Sequence, residues 1–279
     1  MTQDSPNAQI RIERPSPSYW RVVFDNPPFN IFGPDTTPQL NMVVSAIEAD
    51  PHVKVVVFES AVPGFFLTHY DFVPPLDATT SMPPGPTGMP PLPDMLVRIG
   101  RSSVISIAKI RGRASGVGSE LALASDMRFA SNEHALMSQW EIGVALVPGG
   151  GPMTRLSRLI GRGRALEVLT SGNDFPGALA ERYGYVNRSM PDSELDTFVD
   201  DLATRIGLFD RQSLSVIKQH VNAQTLPPDA SVATEWDAFI ASVGRPVAQE
   251  KIAQLMDLGL QKVTDVEARL ADYTGSLWR

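Results

Sequence analysis

Residues 112–151, GRASGVGSELALASDMRFASNEHALMSQWEIGVALVPGGG, constrain the fold more than any other part of this chain. The stretch opens with a Gly-rich turn at 112–118 and passes into SELALA, whose helix-favouring residues begin where the glycines stop. Glu120 then falls in the first helical turn, where free N–H groups and the positive end of the helix dipole lie. Such an end holds developing negative charge. After the helix, DMRFAS and HALMS read as short extended pieces separated by the turn Ser131-Asn132-Glu133. Glu141 follows on a loop that closes with Pro148-Gly149-Gly150-Gly151. A strand-turn-helix-strand order of this kind belongs to an α/β core, and no other stretch places two carboxylates beside backbone donors.

The flanking sequence extends that core. Alternation and aromatic content predict a hairpin from residues 10–13 and 19–24, and Leu40, Val43, Val44 and Ile47 predict an amphipathic helix over 37–50. Residues 53–58 are almost unbroken apolar, as in a strand buried on both faces, and lead into a turn at 64–71. Residues 73–94, VPPLDATTSMPPGPTGMPPLPD, have too many prolines for a regular helix or central strand and are too long for an ordinary connection. They read as a lid or a disordered loop, with Met82, Met89 and Leu92 available to line a pocket, or as a solvated linker. A helix at 95–101 and a strand at 104–110 feed the Gly-rich turn. Beyond Glu141, helices are expected at 153–160, 164–170 and 178–183, a last strand at 185–187, and helices at 193–207, 211–223, 234–242 and 246–260. Loosely repeated ββα units run through the first two thirds.

Three segments resemble the enoyl-CoA hydratase/isomerase, or crotonase, family. GVGSELALASDMRFAS resembles its oxyanion turn, glutamate-bearing helix start and following aspartate strand; SQWEIGVALVPGGG resembles the segment with its second catalytic glutamate; PGFFLTHYDF resembles the turn that supplies the other oxyanion donor. GNDFPGALAERYGYVN also fits the family pattern. The resemblance implies an α/β crotonase-like spiral of ββα units over residues 1–191, with active site, and a C-terminal helical region over 192–279 that covers the core and mediates oligomerisation as a homotrimer or dimer of trimers. It implies an acyl-CoA thioester substrate, with coenzyme A as part of that substrate and no other cofactor. Glu120 would activate water as general base and Glu141 would act as acid at the α-carbon, while the N–H groups of Thr68 and Val117 would hold the enolate oxygen. Gly116, His69 and Trp140 would contribute to substrate binding.

The chain departs from the family at Thr68 and His69, where Ala then Gly is the common pattern, and Val117 stands in place of a glycine. His69 is read either as a proton carrier or as a partly buried side chain beside the thioester. Trp140 is read as packing or as a wall shaped for a bulky or aromatic acyl chain, and Asp71 as catalytic or as a turn former.

Composition removes other classes. A formal charge of −7 and a pI near 5.1, without a basic run, argue against a nucleic-acid face. With no cysteine there is no disulfide or thiolate chemistry. Residues 1–8 are polar and lack the pattern of a secretory signal, and no apolar stretch is long enough to span a bilayer, so a cytoplasmic protein is expected. No GxGxxG, Walker-A lysine or HExxH is present, and His52, His134 and His220 lack ligand spacing, so no metal site is expected. The leading expectation is water addition to, or removal from, a 2-enoyl-CoA. The alternatives are isomerisation, C–C bond cleavage or a non-CoA substrate on the same scaffold, or a catalytically silent binding subunit.

Overall fold

The computed structural model describes residues 8–279, so the polar segment at 1–8 lies almost wholly outside the described residues. Strands β1 (Ile10–Ser16) and β2 (Tyr19–Phe24) form the expected antiparallel hairpin. Then come α1 (Thr36–Ala49), β3 (Val55–Ser60), β4 (Phe65–Leu67), α2 (Asp77–Thr80) and α3 (Pro91–Arg101). The central region contains β5 (Ile105–Ile110), β6 (Arg113–Ser115), α4 (Val117–Ala124), β7 (Met127–Ser131), β8 (Leu136–Ser138) and a 3-10 turn, Glu141–Val144. Next are α5 (Pro152–Ile160), α6 (Arg162–Ser171), β9 (Asp174–Pro176), α7 (Gly177–Tyr183) and β10 (Arg188–Met190). Helices α8 (Asp192–Gly207), α9 (Arg211–Thr225), α10 (Asp229–Val243), α11 (Pro246–Leu258) and α12 (Leu270–Ser276) follow.

The strands divide between two sheets. The larger has the order β1-β2-β3-β5-β7-β10 and the smaller β4-β6-β8-β9. The pairs β3-β4, β5-β6 and β7-β8 each give their first strand to the large sheet and their second to the small one, and each is followed by helix. This is the spiral of ββα units, and it brings the ends of β4, β6 and β8 side by side through parallel pairing.

The apolar run in β3 is explained by burial on both faces, since successive side chains point to opposite sides. Val55 and Val57 join Ile107, Phe129 and the α8 residues Leu195, Val199 and Ala203. Val56 and Phe58 instead join the main core with α1, α3 and α4. A further cluster packs Val144 and Leu146 against Val243, Leu255, Val266 and Leu270, so the C-terminal helices lie directly on the segment that carries Glu141.

Several elements differ from the sequence reading. The last strand is Arg188–Met190 rather than 185–187, because the N–H groups of Tyr185 and Val186 turn back to the carbonyl of Ala180 at 2.8 and 3.3 Å and their side chains enter the core. The proline-rich stretch is folded on itself: Asp94 accepts from the N–H and hydroxyl of Thr87, and α3 begins at Pro91 because proline is tolerated in a first helical turn. Helix α10 starts at Asp229, earlier than residue 234, behind Pro228. Glu141 opens a 3-10 turn rather than standing in a plain loop. The three-residue strands β4, β6 and β9 and the seven-residue α12 are too short for a periodic signal. Among the described residues no helix is long and apolar enough to cross a membrane.

Candidate active site

The glycines of the central turn are required by close approach. Gly116 has φ of +54°, and a β-carbon there would lie 3.2 Å from Glu141 Oε1, 3.3 Å from Trp140 Nε1 and 3.4 Å from His69 Cα. Three segments distant in sequence therefore meet around one backbone position. At Gly118 a β-carbon would sit 1.7 Å from the Leu67 carbonyl oxygen, and the Gly118 N–H donates to the Thr68 carbonyl at 3.1 Å. The N-terminus of α4 is thus seated on the turn that leaves β4.

Glu120 and Glu141, 3% and 7% exposed, both line a cavity of about 40 Å³ together with His69, Gly116, Val117, Trp140 and Gly150. That volume accommodates a few water molecules. Glu120 Oε1 accepts from the Gly150 N–H at 2.7 Å, so the glycine run after Pro148 closes over the first carboxyl group. The Gln139 amide, oriented with its nitrogen toward Glu141, donates to both carboxyl oxygens at 3.0 and 3.1 Å, and its oxygen accepts from Ser119 Oγ at 2.9 Å. Ser119 in turn bonds the Tyr185 hydroxyl.

Burial pushes the Glu120 carboxyl up to about 7, with the nearby Glu235 charge adding to the rise and the Gly150 N–H opposing it. Burial raises Glu141 well above the ordinary carboxylate range, and the neighbouring Glu120 raises it further. Two carboxyl groups facing one small cavity do not both ionise readily.

The expected oxyanion donors are only partly matched. Val117 lines the cavity, and its N–H, at the first residue of α4, has no acceptor among the described residues. Thr68 has a different job. Its N–H donates to the Asn30 carbonyl at 3.1 Å, its hydroxyl reaches the Phe29 and Asn30 carbonyls, and the residue is fully buried. The next residue, His69, lines the cavity and has a backbone N–H with no acceptor among the described residues.

The His69 ring is fixed. One nitrogen faces the Tyr70 carbonyl at 2.8 Å, and Nε2 faces both oxygens of Glu267 at 3.1 Å. The Tyr70 carbonyl only accepts, so the ring nitrogen facing it carries a proton, and the Glu267 carboxyl group on the other nitrogen favours a positive charge on the ring. Burial opposes this charge, and the Glu267 carboxylate overcomes the penalty and raises the His69 pKa. Glu267 is wholly buried; desolvation pushes its pKa up, but the His69 charge and hydrogen bond, the Gln261 N–H and the Arg113 charge together bring it below its ordinary value. Both ring nitrogens are thus engaged away from the two cavity carboxyl groups. Asp71 accepts from the Val73 N–H at 2.9 Å and from the Gln261 amide at 2.6 Å, which is the turn-forming role.

Sequence reasoning missed Gln139, Asn30, Gly150 and Glu267. Gln139 stands two positions before Glu141 and was open to notice, whereas Glu267 is 198 residues from His69 and carries no local signal. Leu92 reaches the cavity wall, and Met89 packs on Val97 and Val232 instead. A second cavity of about 310 Å³ shares Tyr70, Phe72, Trp236 and Phe239 with the first and is also walled by Val73, Leu76 and Ile252. No cluster of His, Asp or Glu able to hold a metal ion occurs among the described residues.

A buried carboxyl pair between backbone donors, on a spiral of ββα units, defines a class, and comparison with known proteins identifies it. The enoyl-CoA hydratase/isomerase family model matches residues 17–244. This chain therefore belongs to the enoyl-CoA hydratase/isomerase family, with the crotonase fold. The solved structure of a candidate enoyl-CoA hydratase from Streptomyces avermitilis superposes with a TM-score of 0.91 at 37% identity, covering 96% of both chains. A short-chain-enoyl-CoA hydratase of Clostridium acetobutylicum is 29% identical over 213 residues, 75% of this chain and 80% of that protein. A mitochondrial protein of Dictyostelium discoideum named for enoyl-CoA hydratase is 36% identical over 117 residues, a match that spans 42% of each.

Proposed function

We propose that the protein hydrates, or dehydrates in reverse, the 2,3 double bond of a 2-enoyl-CoA thioester. The observation that carries this reading is the presence of two buried carboxyl groups on one water-sized cavity. Glu120, pushed up to about 7, is the group read as ionising near neutral pH, while burial and the neighbouring Glu120 raise Glu141 well above its usual range and favour its protonated form. Glu120 takes a proton from water as the oxygen bonds to the β-carbon, and the double-bond electrons move toward the thioester oxygen. The enolate then collapses as Glu141 delivers its proton to the α-carbon. Val117 and His69 N–H groups hold the developing oxyanion, His69 replacing Thr68 as the donor from that turn.

With both His69 ring nitrogens bonded to Tyr70 and Glu267, the acid and base of this reading are Glu120 and Glu141. Coenzyme A enters as part of the substrate, with no further cofactor, and the enzyme works in the cytoplasm as a homotrimer or dimer of trimers. The test is incubation with aliphatic and aromatic 2-enoyl-CoA thioesters in deuterated water, followed by mass spectrometry. Mass gain from water addition with one α-deuteron is expected; an unchanged panel with folded protein overturns the reading. Deuterium exchange without net hydration transfers the site to isomerisation or another enolate reaction.

A further inference from the structure

Trp140 is 1% exposed, and its indole N–H is buried without an acceptor among the described residues. A buried unsatisfied donor is costly, and most such groups are paired. This one is at the cavity wall, not in an apolar interior: Nε1 lies 3.3 Å from the point where a Gly116 β-carbon would stand, and Glu141 Oε1 lies 3.2 Å from the same point. The His69 backbone meets that point at 3.4 Å, and Val117 follows Gly116 directly.

The indole is also held from behind. Its ring meets His69 edge-on at 5.3 Å and Phe72 at 6.0 Å between centroids. His69 is in turn fixed by Glu267, and Phe72 by its N–H bond to Gln261 Oε1 at 2.8 Å. Such a ring cannot swing to find another acceptor without breaking the C-terminal contacts.

We infer that the Trp140 indole N–H is a third hydrogen-bond donor to the thioester carbonyl oxygen, beside the backbone donors of Val117 and His69. The role rests on the hydratase reading above. A donor placed where negative charge develops accelerates the reaction without being used in the resting protein, which accounts for the unpaired N–H.

The test uses the full chain. Trp140→Phe keeps an aromatic ring and removes only the donor and part of the bulk. Expected are a kcat lowered roughly ten- to hundredfold, a KM changed less than about threefold, and a melting temperature close to that of the wild type. A purely packing role predicts the reverse, with lost stability and retained kcat. Independently of turnover, the Trp140 indole N–H resonance of the 15N-labelled wild type is expected to move downfield on adding acetoacetyl-CoA, whose enolate presents the same oxygen. An unmoved indole resonance while the Val117 amide shifts, or full kcat in Trp140→Phe, overturns the donor role alone. Failure of the wild type both to bind acyl-CoA and to turn over any enoyl-CoA overturns the hydratase reading and the donor role with it.

Discussion

Gly150 touches Glu120 so closely that its N–H donates to Oε1 at 2.7 Å while a β-carbon on it would stand 2.3 Å from Oε2. The same residue therefore orients the carboxyl group and excludes any side chain from its place. Gly150→Ala is expected to displace the Glu120 carboxyl and lower kcat at least about tenfold. Steady-state kinetics with a thermal melt check this; a folded variant with unchanged kcat contradicts it.

The two carboxyl groups are expected to give a bell-shaped profile of kcat. Activity rises with pH as Glu120 ionises through about 7 and falls again when Glu141 loses its proton. Glu120→Gln and Glu141→Gln should each reduce hydration by at least about 10². The residual activity of Glu141→Gln should lack the alkaline fall, which a pH series of initial rates reads directly.

Stability carries the same signature. The folded pKa of Glu120 lies above its ordinary value of 4.5, so its protonated form is favoured in the native state. That contribution is complete below pH 4.5 and is lost as pH rises through about 7, because the unfolded chain has already released the proton. The loss is on the order of 3 kcal/mol. Urea titrations at pH 5 and pH 8 should show the drop in the wild type and a smaller one in Glu120→Gln.

The pair His69 and Glu267 makes a second test. Removing one partner of a buried ion pair leaves the other uncompensated, so Glu267→Ala should cost about 3–5 kcal/mol. Because the folded pKa of His69 is raised and that of Glu267 lowered, the pair's contribution is whole between the ordinary carboxylate and histidine values; it fades as pH climbs through the raised His69 value and again as pH falls through the lowered Glu267 value. Denaturant midpoints across that range, compared between wild type and His69→Gln, measure it.

Much of this architecture was legible where sequence period and structure share a cause. The β3 run, the Gly-rich turn and the start of α4 follow from burial on both faces and from close backbone approach, and both leave local marks. The two glutamates could be singled out because the motif around each is local, and the structure brings both to one cavity. Assigning an oxyanion donor to Thr68 failed because the direction of an N–H depends on a partner elsewhere: Asn30, with φ of +53°, turns its carbonyl onto that group. Glu267 was invisible for a related reason. Its hydrogen-bond partners are His69 and the Gln261 N–H at 2.8 Å, neither of them in its own segment, VEARLADY.

That contact has a consequence for biosynthesis. Both glutamates belong to the middle of the described fold, but the group that fixes the turn beside them is Glu267, made 198 residues after His69. A nascent chain can complete its sheets and bring the carboxyl groups together while His69 still lacks its counter-ion. The turn beside the two carboxyl groups is thereby fixed only after every strand of both sheets has been made.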